Sequence, residues 1–154
     1  MIGYLSGERM SSFSTAPSVI SERKIRLVIV GLGRVANTHF DAIENLSKDL
    51  EVVAVCDKSE ESLQLAKNRF NAACYTDFEK CLQETNADIV VLCTPSGLHP
   101  IQTIKAAEYG KHVITEKPMA TRWEDGVRMV KACDKASVRL LVVKQNRKTP
   151  LCNF

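Results

Sequence analysis

The residues best suited to chemistry stand directly behind short runs of β-branched residues. Gly31-Leu32-Gly33-Arg34-Val35-Ala36 spells G-x-G-x-x-A and follows the run IRLVIV at 25–30. In a turn from strand to helix, a glycine at 31 permits the tight bend. A glycine at 33 keeps a Cβ out of the path of an approaching pyrophosphate, and Ala36 allows close packing of helix on strand. The helix N-terminus, with the N–H groups of Arg34 and Val35, then faces the anion. Alone the pattern is weak, but behind a strand and opening a helix it is much stronger. Asp57 ends a second apolar run, EVVAVC, and lies 24 residues beyond Gly33. A carboxylate there accepts hydrogen bonds from the adenosine ribose hydroxyls and repels a 2′-phosphate, which points to NAD rather than NADP. Lys58 weakens that preference, since a base beside the carboxylate tolerates a phosphate. The competing readings are a turn that binds nothing and an aspartate that caps a helix.

Three more polar segments leave strand-like runs. Thr94-Pro95-Ser96 follows DIVVLC at 88–93 and precedes His99; Glu116-Lys117-Pro118 follows a run ending at Thr115; Gln145-Asn146-Arg147 follows VRLLVV at 138–143. In an open α/β sheet, ligands bind outside the carboxyl ends of the strands, where the strand order reverses. The backbone and hydroxyls of Thr94, Pro95 and Ser96 are therefore expected along the pyrophosphate and nicotinamide ribose. His99 opens a helix, where one reading is a local bond at the helix start. A cis Lys117–Pro118 peptide is admissible there, because X–Pro bonds have only a small trans preference. Trp123, at the start of a later helix, is read as a packing residue.

Such residues need a frame that gathers strand ends at one edge. The sequence alternates strand-like and helix-like segments throughout. Strands are expected at 25–30, 51–56, 73–75, 88–93, 113–115 and 138–143. Helices are expected at 34–47 (with Val35, Phe40, Ile43 and Leu46 on one face), from the cap Ser59 to Phe70, from Asp77 to Gln83, from Gly97 or His99 to the terminating Gly110, and from Arg122 to Ala136. Continuous apolar strands separated by helices imply a parallel sheet covered on both faces. The fold class is thus α/β, a doubly wound parallel sheet of Rossmann type, with strand order 3-2-1-4-5-6.

The segments GLGRVANTHFDAI (31–43), CTPSGLHP (93–100) and EKPMA (116–120) resemble the glucose–fructose oxidoreductase and inositol dehydrogenase (Gfo/Idh/MocA) family. The last two are far more specific than the glycine loop. Within that family TPSGLHP, TEKPMATRWEDG (115–126) and VVKQNR (142–147) look like the branch of UDP-N-acetyl-2-amino-2-deoxyglucuronate dehydrogenases. That branch oxidises a sugar 3-hydroxyl in lipopolysaccharide biosynthesis. The resemblance covers residues 24–147 and implies NAD as cofactor and a UDP-sugar acid as substrate. It implies that His99 lies near the cofactor without being the catalytic base, that Glu116 contacts the nicotinamide ribose and that Lys117 is the catalytic residue at the reacting hydroxyl. Gln145 and Asn146 are implied to line the nicotinamide, and Arg147 the sugar. The family carries a second, open-sheet domain that supplies the catalytic histidine and most substrate contacts.

Residues 148–154 do not resemble the family's continuation. Residues 1–22 are Ser-rich without apolar periodicity and read as a disordered tail, leaving 23–147 as the NAD-binding domain. The expectation is therefore a Rossmann domain whose second domain is absent from this chain, binding NAD with little turnover and associating through apolar surface that the partner domain would cover. The alternatives are a non-catalytic NAD(H)-binding module, a partner-dependent subunit, or a relative acting on inositol or a free sugar. Composition excludes other classes. A net charge of +3 over 154 residues, with bases interleaved among acids, does not suit nucleic acid. No apolar run is long enough to cross a membrane. The six cysteines form no C-x-x-C pair and the three histidines lie away from them, so no metal site is expected. The cysteines read as buried, reduced thiols, which suits the cytoplasm.

Overall fold

The computed structural model describes residues 22–144. Eleven elements alternate: β1 (Ile25–Val30), α1 (Arg34–Asn45), β2 (Leu50–Cys56), α2 (Glu60–Phe70), β3 (Ala73–Tyr75), α3 (Phe78–Glu84), β4 (Ile89–Leu92), α4 (His99–Glu108), β5 (His112–Thr115), α5 (Trp123–Lys135) and β6 (Leu140–Val142). The six strands form one sheet in the order β3-β2-β1-β4-β5-β6, and every pairing is parallel. This is the doubly wound order expected from the alternation of elements.

The pleat explains why the strands are apolar throughout. Leu27 and Ile29 of β1 face one core with Ala36 and Phe40 of α1 and Leu63 of α2. Val28 and Val30 face the opposite core with Cys81 and Leu82 of α3 and Ala106 of α4. A register shift between Leu27 and Val28 pairs them with Val52 and Ala54. It places Val52 and Val55, three residues apart, in the same core.

Helix ends are closed locally. Ser59 caps α2 by accepting from the Ser62 N–H at 3.2 Å, and Asp77 caps α3 by accepting from the Lys80 N–H at 2.7 Å. Asn71 and Gly110 take positive φ after α2 and α4.

The structure corrects four readings of the sequence. The buried stripe of α1 is Ala36, Phe40 and Ile43, whereas Val35 is 42% exposed and Leu46 lies beyond the last turn. Val35 sits one position off the stripe, beside the glycine turn rather than over the sheet. Trp123 is 82% exposed, so it is not a packing residue within the described part of the chain. It stands at the mouth of an apolar groove of about 560 Å³ between α5 and the 119–122 segment. Cys56, Cys81 and Cys133 are buried and Cys93 is partly so, but Cys74 is exposed, because β3 is an edge strand. Strand β4 is one residue shorter at each end than expected, although the Asp88 N–H still donates to the Arg26 carbonyl at 2.9 Å and the Cys93 N–H to the Val30 carbonyl at 2.8 Å; the Asp88 carboxylate also turns back to β1.

That carboxylate joins the chain's entry to the sheet centre. Arg23 meets Asp88 in a fork, Nη1 to Oδ2 at 2.7 Å and Nη2 to Oδ1 at 2.8 Å, and the Arg26 N–H donates to Oδ2 at 2.8 Å. The Arg23 guanidinium, helped by the Arg26 N–H, holds the Asp88 carboxyl below the usual carboxylate range. A lowered folded-state pKa stabilises the fold above the unfolded carboxyl pKa of about 4, and that contribution disappears as pH falls through the depressed value. Asp88→Asn should therefore lower stability at pH 7 and flatten its decline between about pH 5 and 2. Urea unfolding across that range reads both effects; an unchanged pH profile would deny Asp88 this role.

Candidate functional site

Because all strands run parallel, the loops after Val30, Cys56, Tyr75, Leu92 and Thr115 open at one edge. A cleft of about 500 Å³ lies there, lined by Gly31, Asp57, Phe78, Thr94, Leu98 and Gln102 among others. It sits at the crevice between β1 and β4, where consecutive crossovers leave on opposite faces.

The two loop glycines have different duties. Gly31 has φ +83°, and a Cβ built on it would lie 2.8 Å from Thr94 N and 2.9 Å from the Cys93 carbonyl carbon. Here glycine is required by both conformation and space. Gly33 has ordinary φ, and a Cβ there would meet no protein atom within 4 Å. Its space is open for something outside the described residues. Gly33 is the N-cap of α1, with no side-chain cap and no acidic residue in the first turn. Arg34 and Val35 are exposed beside it. Uncapped N–H groups without a competing carboxylate are what a pyrophosphate needs, so these residues fit a dinucleotide.

Asp57 braces that loop. Its Oδ2 accepts from the Leu32 N–H at 2.6 Å and its Oδ1 from the Ser59 N–H at 2.8 Å. The helix cap is Ser59, not Asp57. An ionised carboxylate has about four acceptor sites, so each Asp57 oxygen keeps one for a ligand hydroxyl.

At the switch-point loop, the Thr94 hydroxyl donates to Gln102 Oε1 at 2.5 Å. Pro95 lines the cleft, and Ser96 accepts the His99 N–H with its carbonyl at 3.3 Å. His99 is 1% exposed. Its Nε2 lies 2.8 Å from the Thr94 carbonyl and its Nδ1 3.0 Å from the Pro118 carbonyl. The ring thus ties the loop after β4 to the turn after β5.

That turn begins with Glu116, whose N–H donates to the Leu92 carbonyl at 3.0 Å. Its Oε1 accepts from His39 Nε2 at 2.7 Å and its Oε2 from the Lys117 N–H at 3.2 Å. The Lys117–Pro118 peptide is cis and Lys117 is exposed. Beneath the turn, burial and the Glu116 charge push the Cys93 thiol up to about 12. It is therefore a neutral thiol near pH 7, not a nucleophile.

The structure thus gathers Gly31, Gly33, Arg34, Val35, Asp57, Thr94, Pro95, Ser96, Glu116 and Lys117 at one edge, with His99 buried behind them. Gln145, Asn146 and Arg147 lie outside the described residues. Sequence reasoning missed His39, Phe78, Leu98 and Gln102. Phe78 carried a usable signal, since it follows the Asp77 cap just after β3, and the end of β3 adjoins that of β2. His39 carried none, because its partner is 77 residues away. No group of three or more His, Cys, Asp or Glu among the described residues is placed to hold a metal ion. No helix among them is long and apolar enough to cross a membrane.

Known proteins share this fold. Residues 25–144 match the oxidoreductase family with an NAD-binding Rossmann fold. The WlbA dehydrogenase of Bordetella pertussis, solved with NADH and UDP-GlcNAcA, is 52% identical with a TM-score of 0.82, over 84% of this chain and 40% of that one. WlbA of Chromobacterium violaceum, solved with the same two ligands, is 50% identical with a TM-score of 0.86, over 90% of this chain and 40% of that one. D-glucoside 3-dehydrogenase of Escherichia coli K12 is 35% identical over 77% of this chain and 33% of its own length. This chain therefore spans about 40% or less of the relatives it matches.

The two glycines should separate under mutation. Gly31→Ala should cost at least about 1–3 kcal/mol of stability, from left-handed backbone strain alone. Gly33→Ala should fold within about 1 kcal/mol of wild type yet bind NAD at least about tenfold more weakly. Urea unfolding and NAD titration measure the two quantities; loss of stability without loss of affinity at Gly33 would contradict the assignment.

Proposed function

The chain belongs to the oxidoreductase family with an NAD-binding Rossmann fold, and on that premise we propose that it is the cofactor half of a dehydrogenase oxidising the 3-hydroxyl of a UDP-N-acetylglucosaminuronic acid. One observation carries the reading of the site. Two carboxylates, Asp57 and Glu116, flank the glycine loop at the same edge, and each is held by two protein donors. A dinucleotide presents two ribose diols on either side of a pyrophosphate, which is the matching pattern of donors.

In this reading Asp57 takes the adenosine ribose and disfavours a 2′-phosphate. Gly33, Arg34 and Val35 present the helix N-terminus to the pyrophosphate. Thr94, Pro95 and Ser96 line the path onward, with His99 beside them, and Glu116 takes the nicotinamide ribose. By the family resemblance alone, Gln145 and Asn146 are assigned to the nicotinamide and Arg147 to the sugar. Lys117 is the catalytic residue, orienting the reacting oxygen and stabilising its developing negative charge through its ammonium. NAD, when bound, would accept the hydride, and the hydroxyl proton would pass to a base, which the family resemblance places in the second domain. The choice of a UDP-sugar acid over a simple glucoside is supported by the 50–52% identity to the two UDP-GlcNAcA-bound dehydrogenases, against 35% for the glucoside enzyme. The free thiols suit a cytoplasmic setting.

Lys117 is exposed among the described residues, so water has access to it there. It also exposes the apolar groove around Trp123, a surface suited to association. We therefore expect NAD binding with little turnover. Calorimetric titration should show NAD binding at least about tenfold more tightly than NADP. Mixed with NAD and UDP-N-acetylglucosaminuronic acid, the chain should form NADH at least about a thousandfold below the ~10 s⁻¹ typical of enzymes. Preference for NADP would overturn the role of Asp57, and an ordinary rate would overturn the expectation of low turnover.

A further inference from the structure

Helix α1 makes two kinds of polar contact along its length. Asp41 and Glu44 pair with Arg69 of α2, within the first half of the fold. His39 instead reaches the second half, placing Nε2 at 2.7 Å from Glu116 Oε1. Glu116 follows β5, which lies two places from β1 in the sheet. The bond therefore crosses the switch point and links the helix of the glycine loop to the turn that carries Lys117. Both side chains are mostly buried, at 19% and 14% exposure, so water competes poorly for the contact. NAD binding as read above needs Glu116 but does not by itself call for His39.

A glutamate held at one point only keeps rotamer freedom that a ligand must remove when it binds. The Lys117 N–H holds Glu116 Oε2 at 3.2 Å, a long bond. The bond from His39 is shorter and charge-assisted, and it fixes the other oxygen. With one acceptor site on each oxygen used, the two remaining sites are held in a fixed plane for a vicinal diol. We propose that His39 is a positioning residue that pre-sets Glu116 for the nicotinamide ribose, and so governs the grip on the nicotinamide half of NAD but not on the adenosine half. His39 acts through Glu116 and does not touch the cofactor. The proposal rests on the placement of Glu116 in the preceding reading.

The test uses the full chain and two probes, NAD and ADP, the second reporting on the adenosine and pyrophosphate half alone. His39→Ala should weaken NAD about tenfold and leave ADP within about twofold. His39→Gln, which keeps an N–H donor, should recover most of the loss. Glu116→Ala should match His39→Ala, and the double variant should be no worse than Glu116→Ala. If His39→Ala fails to fold in a thermal scan, His39→Phe (ring kept, donor removed) replaces it beside His39→Gln. Equal weakening of NAD and ADP would reduce His39 to a structural prop of α1. Unchanged NAD binding, or additive losses with Glu116, would likewise overturn the proposal. If Glu116→Ala itself left NAD binding intact, the placement of Glu116 would be wrong, a failure distinct from that of His39 alone.

Discussion

The carboxyl edge depends on how closely the loops after β1 and β4 approach each other. At Gly31 a Cβ would stand 2.8 Å from the backbone nitrogen of Thr94, a distance that real Cβ atoms do not tolerate. Absence of that one atom lets the two central strands run to their ends in register, Val30 beside Leu92. The chain then leaves on opposite faces of the sheet, α1 on one and α4 on the other. The crevice between the two departures is where the cofactor cleft lies. A side chain at 31 would push the loops apart and disturb every group that borrows its position from them.

Several groups do so. Thr94 is held by Gln102 from α4, and its carbonyl is held by His99. The same imidazole reaches the Pro118 carbonyl, so the loop after β4 and the turn after β5 share one buried ring. Asp57 closes the other flank by accepting from the Leu32 N–H inside the glycine loop. Rigidity at this edge therefore comes from backbone groups held by side chains, which leaves carboxylate lone pairs and helix N–H groups turned outward. Such pre-set acceptors and donors reduce what a ligand must order when it binds.

Much of this was legible in the sequence because it is local. The G-x-G-x-x-A turn, the Ser59 cap, the apolar strand runs and the E-K-P turn all announce themselves within a few residues. Strand order followed from the alternation of elements and the handedness of crossovers. What escaped depended on distant partners. Nothing near Asp88 announces that its carboxylate meets Arg23 and the Arg26 N–H, more than sixty residues away. Trp123 looks like core to any hydrophobicity rule, yet α5 turns it outward beside Met119 and Val127. Among the polar residues of NTHF, nothing marks His39 as the one that meets a glutamate across the sheet. Val35 fits a helical stripe on paper, but the glycine turn sets the rotation of α1 and assigns the stripe to Ala36, Phe40 and Ile43.

One dinucleotide is proposed to lie along this edge, with its pyrophosphate on the N-terminus of α1 and a ribose at each carboxylate. Amide NMR of the 17.1 kDa chain during titration with NAD tests it directly. The largest shifts are expected at the N–H groups of Leu32 to Val35, Ser59, Ser96 and Lys117, with little change along α5. Shifts centred instead on the groove of Met119, Trp123 and Val130, with the glycine loop unmoved, would contradict it.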